Sequence, residues 1–145
     1  MKYIKERGLE NVIISLKQPV LGICLGLQLL CNFSDEGYVK CLGIFDTMVK
    51  KFPPFDKIPH MGWNTLTDVA DHPLFAPLAN GDAVYFTHSF AFFPRNPTDV
   101  TAWVEHGERF PAAVARGNVA GVQFHPEKSQ KPGLALLQRF LEWRP

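Results

Sequence analysis

Cysteine is scarce in this 145-residue chain: there are three, at 24, 31 and 41. An odd, sparse set builds no disulfide framework and suits a reducing compartment, so the sequence predicts a cytoplasmic protein. No C-x-x-C or H-x-x-x-H spacing occurs, so no metal site is indicated. An excess of one charge is also missing. Fifteen basic residues face 14 acidic ones, for a net charge of +1. No basic run extends beyond Lys50-Lys51, which argues against nucleic acid or an anionic membrane as partner. No apolar stretch approaches the roughly 18–20 residues of a membrane span. Met1 to Arg7 alternates charge with apolar residues, where a secretory leader would carry an apolar core. Internal repeats and low-complexity tracts are absent too.

What remains is an ordinary globular composition, 46% hydrophobic and 20% charged, long enough for one domain with a real core. Residues 3–16 read as a short helix or turn. Val20 to Ile23 is an apolar strand and Leu25 to Cys31 a helix. A polar, glycine-containing loop covers 32–40, and 42–52 alternates well enough for one or two strands. Pro53-Pro54 and Pro59 interrupt the pattern. Strands follow at 63–68 and 83–86, separated by a helix or loop at 73–78 and a turn at Asn80-Gly81-Asp82. A strand pair at 101–105 and 112–116 surrounds Gly107, and Val119 to Phe124 is a buried strand. A closing helix, 133–143, has Leu134, Leu137, Phe140 and Leu141 on one face. Helices flanking a strand series give an α/β or mixed class and a single domain, 1–145.

Two segments carry chemistry. Cys24 lies between Gly22 and Gly26, on the turn from strand to helix, in the arrangement of a nucleophile elbow with cysteine in place of serine. Both glycines are expected because a side chain at either would clash as the chain folds over itself. Such a turn lifts the sulfur toward substrate. It also sets the sulfur at a helix N-terminus, which favours thiolate and predicts a lowered pKa. About a hundred positions downstream, His125-Pro126-Glu127 ends an apolar strand. A cysteine nucleophile needs an imidazole to take and return its proton, and the imidazole needs a third group to fix its tautomer. His125 and Glu127, two apart around a stiff proline, suit those roles. Alone, His125 reads as a strand-end histidine and Glu127 as a solvated turn residue. Together with the elbow they read as a triad that the fold must assemble. From these residues alone a Cys-His peptidase stays open.

The elbow and His-Pro-Glu resemble those of the class I glutamine amidotransferases. Within them, His60-Met61-Gly62-Trp63-Asn64, Tyr85-Phe86-Thr87-His88-Ser89-Phe90 and Lys128-Ser129 are similar to motifs of the glutaminase subunits of imidazole glycerol phosphate synthase. The resemblance runs from about residue 18 to 143. It implies a flavodoxin-like open α/β sheet with flanking helices. It implies that Cys24 attacks the glutamine side-chain amide, with His125 and Glu127 as partners and no cofactor. The backbone N–H of Leu25 would serve the oxyanion. Gln28, Gly26, Thr87, His88 and Ser89 would contact substrate. It also implies a heterodimer with a (β/α)8-barrel cyclase subunit that receives the ammonia, with Trp63, Asn64, Tyr85 and Lys128 at the interface.

Against that family the chain departs before the elbow. Gly8 is its only glycine ahead of Gly22, so a Pro-Gly-x-Gly loop, the family's second oxyanion donor, is not found there. The expectation is a glutaminase domain lacking its first strands, and a weak glutaminase by itself, since one such donor is worth about 10²–10³ in rate. The alternatives are a non-catalytic docking module of the same family and the glutaminase of another class I amidotransferase.

Overall fold

Two apolar strands far apart in sequence carry a glycine at the same level, and this lets a helix lie close against them. In the computed structural model, which describes residues 1–53 and 57–145, the chain runs as follows. Helices α1 (Lys2–Glu6) and α2 (Leu9–Ile14) precede β1 (Val20–Ile23) and α3 (Leu25–Leu30). Then come β2 (Phe33–Ser34), β3 (Val39–Lys40), β4 (Thr47–Lys51), β5 (His60–Thr65), β6 (Ala83–His88) and β7 (Phe90–Pro94). Strands β8 (Val100–His106), β9 (Glu108–Arg116) and β10 (Val119–Val122) lead to α4 (Gln130–Glu142).

One sheet has the order β1-β10-β9-β8, a second β3-β2-β4-β7, and β5-β6 form a separate hairpin-like pair. These are the expected mixed α/β open sheets with flanking helices. Among the described residues, parallel pairing is confined to β1 with β10 and β2 with β4; the other pairs are antiparallel. In the β1–β10 pair Gly22 stands opposite Gly121. A Cβ on Gly121 would lie 2.4 Å from Leu27 Cδ1, and one on Gly22 would lie 2.7 Å from the Leu27 nitrogen. The bare backbone is thus the groove that seats Leu27, which is fully buried. Both parallel strands end on the same side, the carboxyl edge where α/β sheets hold their ligands.

The core is built from phenylalanine. Phe75, Phe86, Phe110 and Phe124 pack with Leu74 and Leu136, while Phe45 and Phe92 pack with Leu27, Leu30 and Val49.

Several expectations shift. The 32–40 loop contains the short strands β2 and β3. Strand β5 starts at His60 rather than Trp63, and β7 forms on a phenylalanine run whose sequence shows no strand alternation. The 73–78 segment forms turns. Pro54, part of the expected Pro53-Pro54 interruption, lies outside the described residues. The buried face of α4 also differs. Gly133 and Leu136 are buried and Phe140 and Trp143 pack on the core, but Leu134 and Leu141 are 60% and 74% exposed. Close approach of Gly133 to the Pro126 carbonyl sets the rotation of this helix and overrides its leucine pattern.

Candidate active site

Cys24 has φ 49° and ψ −107°, a conformation that costs a non-glycine residue of order 1–3 kcal/mol and that clusters at functional turns. Its N–H is held by the Val122 carbonyl at 2.8 Å, so the register of β1 on β10 carries into the elbow. The glycine expectation holds for one of two positions. Gly22 is hemmed in by Leu27, Leu30 and the Gly26 backbone, whereas a Cβ on Gly26 would meet nothing within 4 Å. Gly26 therefore borders open space and is not required sterically by the turn.

The predicted lowering of the Cys24 pKa does not hold as a net effect. Burial raises it; the Leu25 N–H and the Gln123 side-chain amide act in the opposite sense, and the Glu127 and Glu36 carboxylates raise it further. A six-residue helix does not outweigh the desolvation of the sulfur. In this state the thiol points to the Thr87 carbonyl, 3.9 Å away. Cys31 and Cys41 are buried, with thiol pKa values also raised by burial.

His125 and Glu127 do meet. The turn Pro126–Lys128 swings the Glu127 carboxylate back to His125 Nδ1 at 2.7 Å. A carboxylate accepts only, so Nδ1 carries a proton, and in the neutral imidazole Nε2 then keeps its lone pair. His125 Nε2 is buried with no hydrogen-bond partner among the described residues. Ser129, fully buried, staples this turn to β6: its hydroxyl donates to the His125 carbonyl (2.6 Å) and accepts from the Tyr85 N–H (2.9 Å). The His125 N–H in turn reaches the Tyr85 carbonyl at 2.8 Å.

A cavity of about 270 Å³ opens over the sulfur, lined by Cys24, Leu25, Gln28, Glu36, Thr87, His88, Ser89 and Phe90. Of the residues expected at substrate, Gln28, Thr87, His88 and Ser89 line it and Gly26 does not. The His88 imidazole is hydrogen-bonded through both ring nitrogens. Its Nδ1 donates to the Phe90 carbonyl (2.7 Å), so its Nε2 accepts from His60 Nδ1 (2.9 Å). His60 Nε2 then accepts from Asn64 Nδ2 (3.3 Å), whose other proton goes to the Glu105 carbonyl (2.7 Å). His106 stacks on His60 at 4.0 Å. Burial holds His60 down at about 3, helped by His88 and His106, and burial holds His88 at about 4. The His60 and His88 imidazoles are neutral near pH 7 and paired with each other. Among the described residues no group of three or more His, Cys, Asp or Glu is placed to hold a metal ion.

Gln28 is buried and lines the cavity, but its amide protons are engaged by the Phe90 carbonyl (3.1 Å) and Gln123 Oε1 (3.2 Å). Only its carbonyl oxygen remains for a ligand. Asn64 is half-buried, its amide nitrogen held by His60 and by the Glu105 carbonyl. Trp63 is 50% exposed and Met61 62%. Trp63 stands edge-on to Tyr85 at 5.8 Å, and the Lys128 ammonium lies 5.8 Å from the Tyr85 ring centre. Two residues of the site escaped the sequence reading. Glu36 sat in an apparent solvent loop and gave no signal. Gln123 did give one: a lone amide in an apolar strand needs a partner.

Residues 5–143 match the class I glutamine amidotransferase family. The imidazole glycerol phosphate synthase subunit HisH of Bacteroides fragilis is 46% identical over 98% of this chain and 72% of its own length. HisH of Caulobacter vibrioides is 53% identical over 88% of this chain and 62% of its own. A Thermotoga maritima glutamine amidotransferase crystal structure superposes with a TM-score of 0.60 at 25% identity, covering 97% of this chain and 52% of that one. The chain spans about 72%, 62% and 52% of the lengths of these three relatives. An elbow cysteine and a His-Glu pair brought to one sheet edge thus accompany a match over nearly every residue, and the chain belongs to the class I glutamine amidotransferase family, with the HisH proteins among its relatives.

Proposed function

We propose that this chain is a glutamine-hydrolysing subunit that supplies ammonia to a (β/α)8-barrel cyclase forming imidazole glycerol phosphate, in the cytoplasm and as a heterodimer. The supporting observation is the pairing of a free, buried His125 Nε2 with a carboxylate-fixed Nδ1, at the carboxyl edge that also carries the strained Cys24. Glutamine enters the cavity with its ammonium toward Glu36, the exposed carboxylate of the lining. His125 Nε2 takes the thiol proton as Cys24 Sγ attacks the side-chain carbonyl carbon, and the Leu25 N–H meets the developing oxyanion. The C–N bond breaks, His125 returns the proton to nitrogen, and ammonia leaves a glutamyl thioester. Water, deprotonated by the same imidazole, cleaves the thioester to glutamate and restores the thiol. Met61, Trp63, Tyr85 and Lys128 form the docking patch, an apolar surface with a cationic rim.

The test is labelling with a glutamine chloroketone, followed by peptide mapping. Cys24 is modified first, and glutamine protects it. Equal or absent modification of Cys24 relative to Cys31 and Cys41 refutes the nucleophile and leaves a docking module. Failure to co-purify with a barrel cyclase refutes the partner.

A further inference from the structure

Gln123 is wholly buried, yet it is the one amide in the run Val119 to Phe124. The β1–β10 register puts residue i of β1 beside residue i + 99 of β10, from Val20 and Val119 to Ile23 and Val122. One step further sets Cys24 beside Gln123, and Gln123 Nε2 lies 3.5 Å from Cys24 Sγ. An amide has a donor end and an acceptor end, so contact alone does not say which one faces sulfur. The neighbours decide it. The Phe90 carbonyl accepts only, and it takes one proton from His88 Nδ1 and one from Gln28 Nε2. That fixes the Gln28 amide, whose second proton goes to Gln123 Oε1. With its oxygen engaged, Gln123 must turn its NH2 to the sulfur. The chain of donors is anchored on a backbone carbonyl and ends on the nucleophile.

We infer that Gln123 is a hydrogen-bond donor to the Cys24 sulfur that favours thiolate over thiol, and that Gln28 is a positioning residue acting through it. The inference rests on the reading of Cys24 as the nucleophile. A buried sulfur anion needs such a donor, because desolvation otherwise holds it neutral. The Gln28 donors orient Gln123, while the Gln28 carbonyl oxygen is left to face the cavity ligand.

The experiment measures the rate of Cys24 carbamidomethylation by iodoacetamide against pH, with mass mapping. This reagent requires no glutamine recognition. The variant Gln123→Leu, of similar bulk and without a donor, shows the Cys24 profile displaced to higher pH. On the rising limb its reaction is about tenfold slower, one decade being worth about 1.4 kcal/mol. Gln28→Leu moves the profile in the same direction by less, and Cys31 and Cys41 are unchanged in both. A folded Gln123→Leu with an unmoved profile overturns the inference. If Gln123→Leu does not fold, an unmoved profile in Gln28→Leu overturns it. Chloroketone labelling of the unaltered chain tests the glutaminase reading separately, so either can fail alone.

Discussion

Gly133 and Gly26 are both helical glycines, and the structure assigns opposite signs to their replacement by alanine. Each substitution gains up to about 1 kcal/mol of helix propensity. At Gly26 nothing opposes the gain, since a Cβ there meets no atom within 4 Å. At Gly133 the added carbon would lie 1.9 Å from the Pro126 carbonyl oxygen and 2.7 Å from its carbon. These are backbone atoms, so no side chain can rotate away. Restoring an ordinary contact requires α4 and the Pro126–Lys128 turn to separate by about 1.5 Å, against overpacking costs of typically 1–3 kcal/mol or more. The net expectation for Gly133→Ala is a loss of about 2 kcal/mol, read as a lower urea midpoint at unchanged m-value. Because that turn carries Glu127, misplacement of about 1 Å also lowers chloroketone labelling of Cys24 by about 10²-fold. Gly26→Ala keeps or raises the midpoint. A Gly133→Ala protein as stable as the parent would refute the steric account and show that helix propensity wins at both sites.

Replacing Glu127 with Gln removes the carboxylate that fixes His125 Nδ1 at 2.7 Å; glutamine hydrolysis falls by about 10²–10⁴-fold with the urea midpoint nearly unchanged, as kinetics and denaturation on one preparation check. The unfolded chain protonates His60 and His88 near the ordinary value of about 6.5, while the folded chain resists until about 3 and about 4. The unfolded state therefore binds more protons across that window: stability is full above it and falls as pH drops from about 6.5 toward 4. Urea midpoints at pH 7 and pH 5 measure this, and His60→Gln, which cannot charge, shows the shallower slope. Trp63→Ala weakens cyclase binding by about 2 kcal/mol or more, read by calorimetry, and leaves the midpoint close to that of the parent because Trp63 is half exposed.

Local sequence was enough for what local physics controls. The apolar run Val20 to Ile23, the elbow after it, the Gly107 hairpin and the His-Pro-Glu turn each depend on neighbouring residues, and each lies where the sequence places it. The family was legible for the same reason, since its motifs are short and contiguous. What local sequence could not express is which side chains face one another across the sheet. His88 and Asn64 sit in two separate linear motifs, and the β5–β6 register joins them through His60 in one hydrogen-bonded chain. Leu134 and Leu141 have the spacing of a core stripe, but a glycine contact with Pro126 rotates them to solvent. Gln123 looks like one polar residue in a strand until the parallel register sets it against the sulfur. The Cys24 pKa is raised because burial, which the sequence does not display, outweighs the helix terminus, which it does. The sequence by itself determined the reactive groups and the turns that bear them, because strand, elbow and cap preferences act over a few residues. Only the tertiary structure decided their hydrogen-bond partners and their solvation, because both depend on atoms a hundred positions away along the chain.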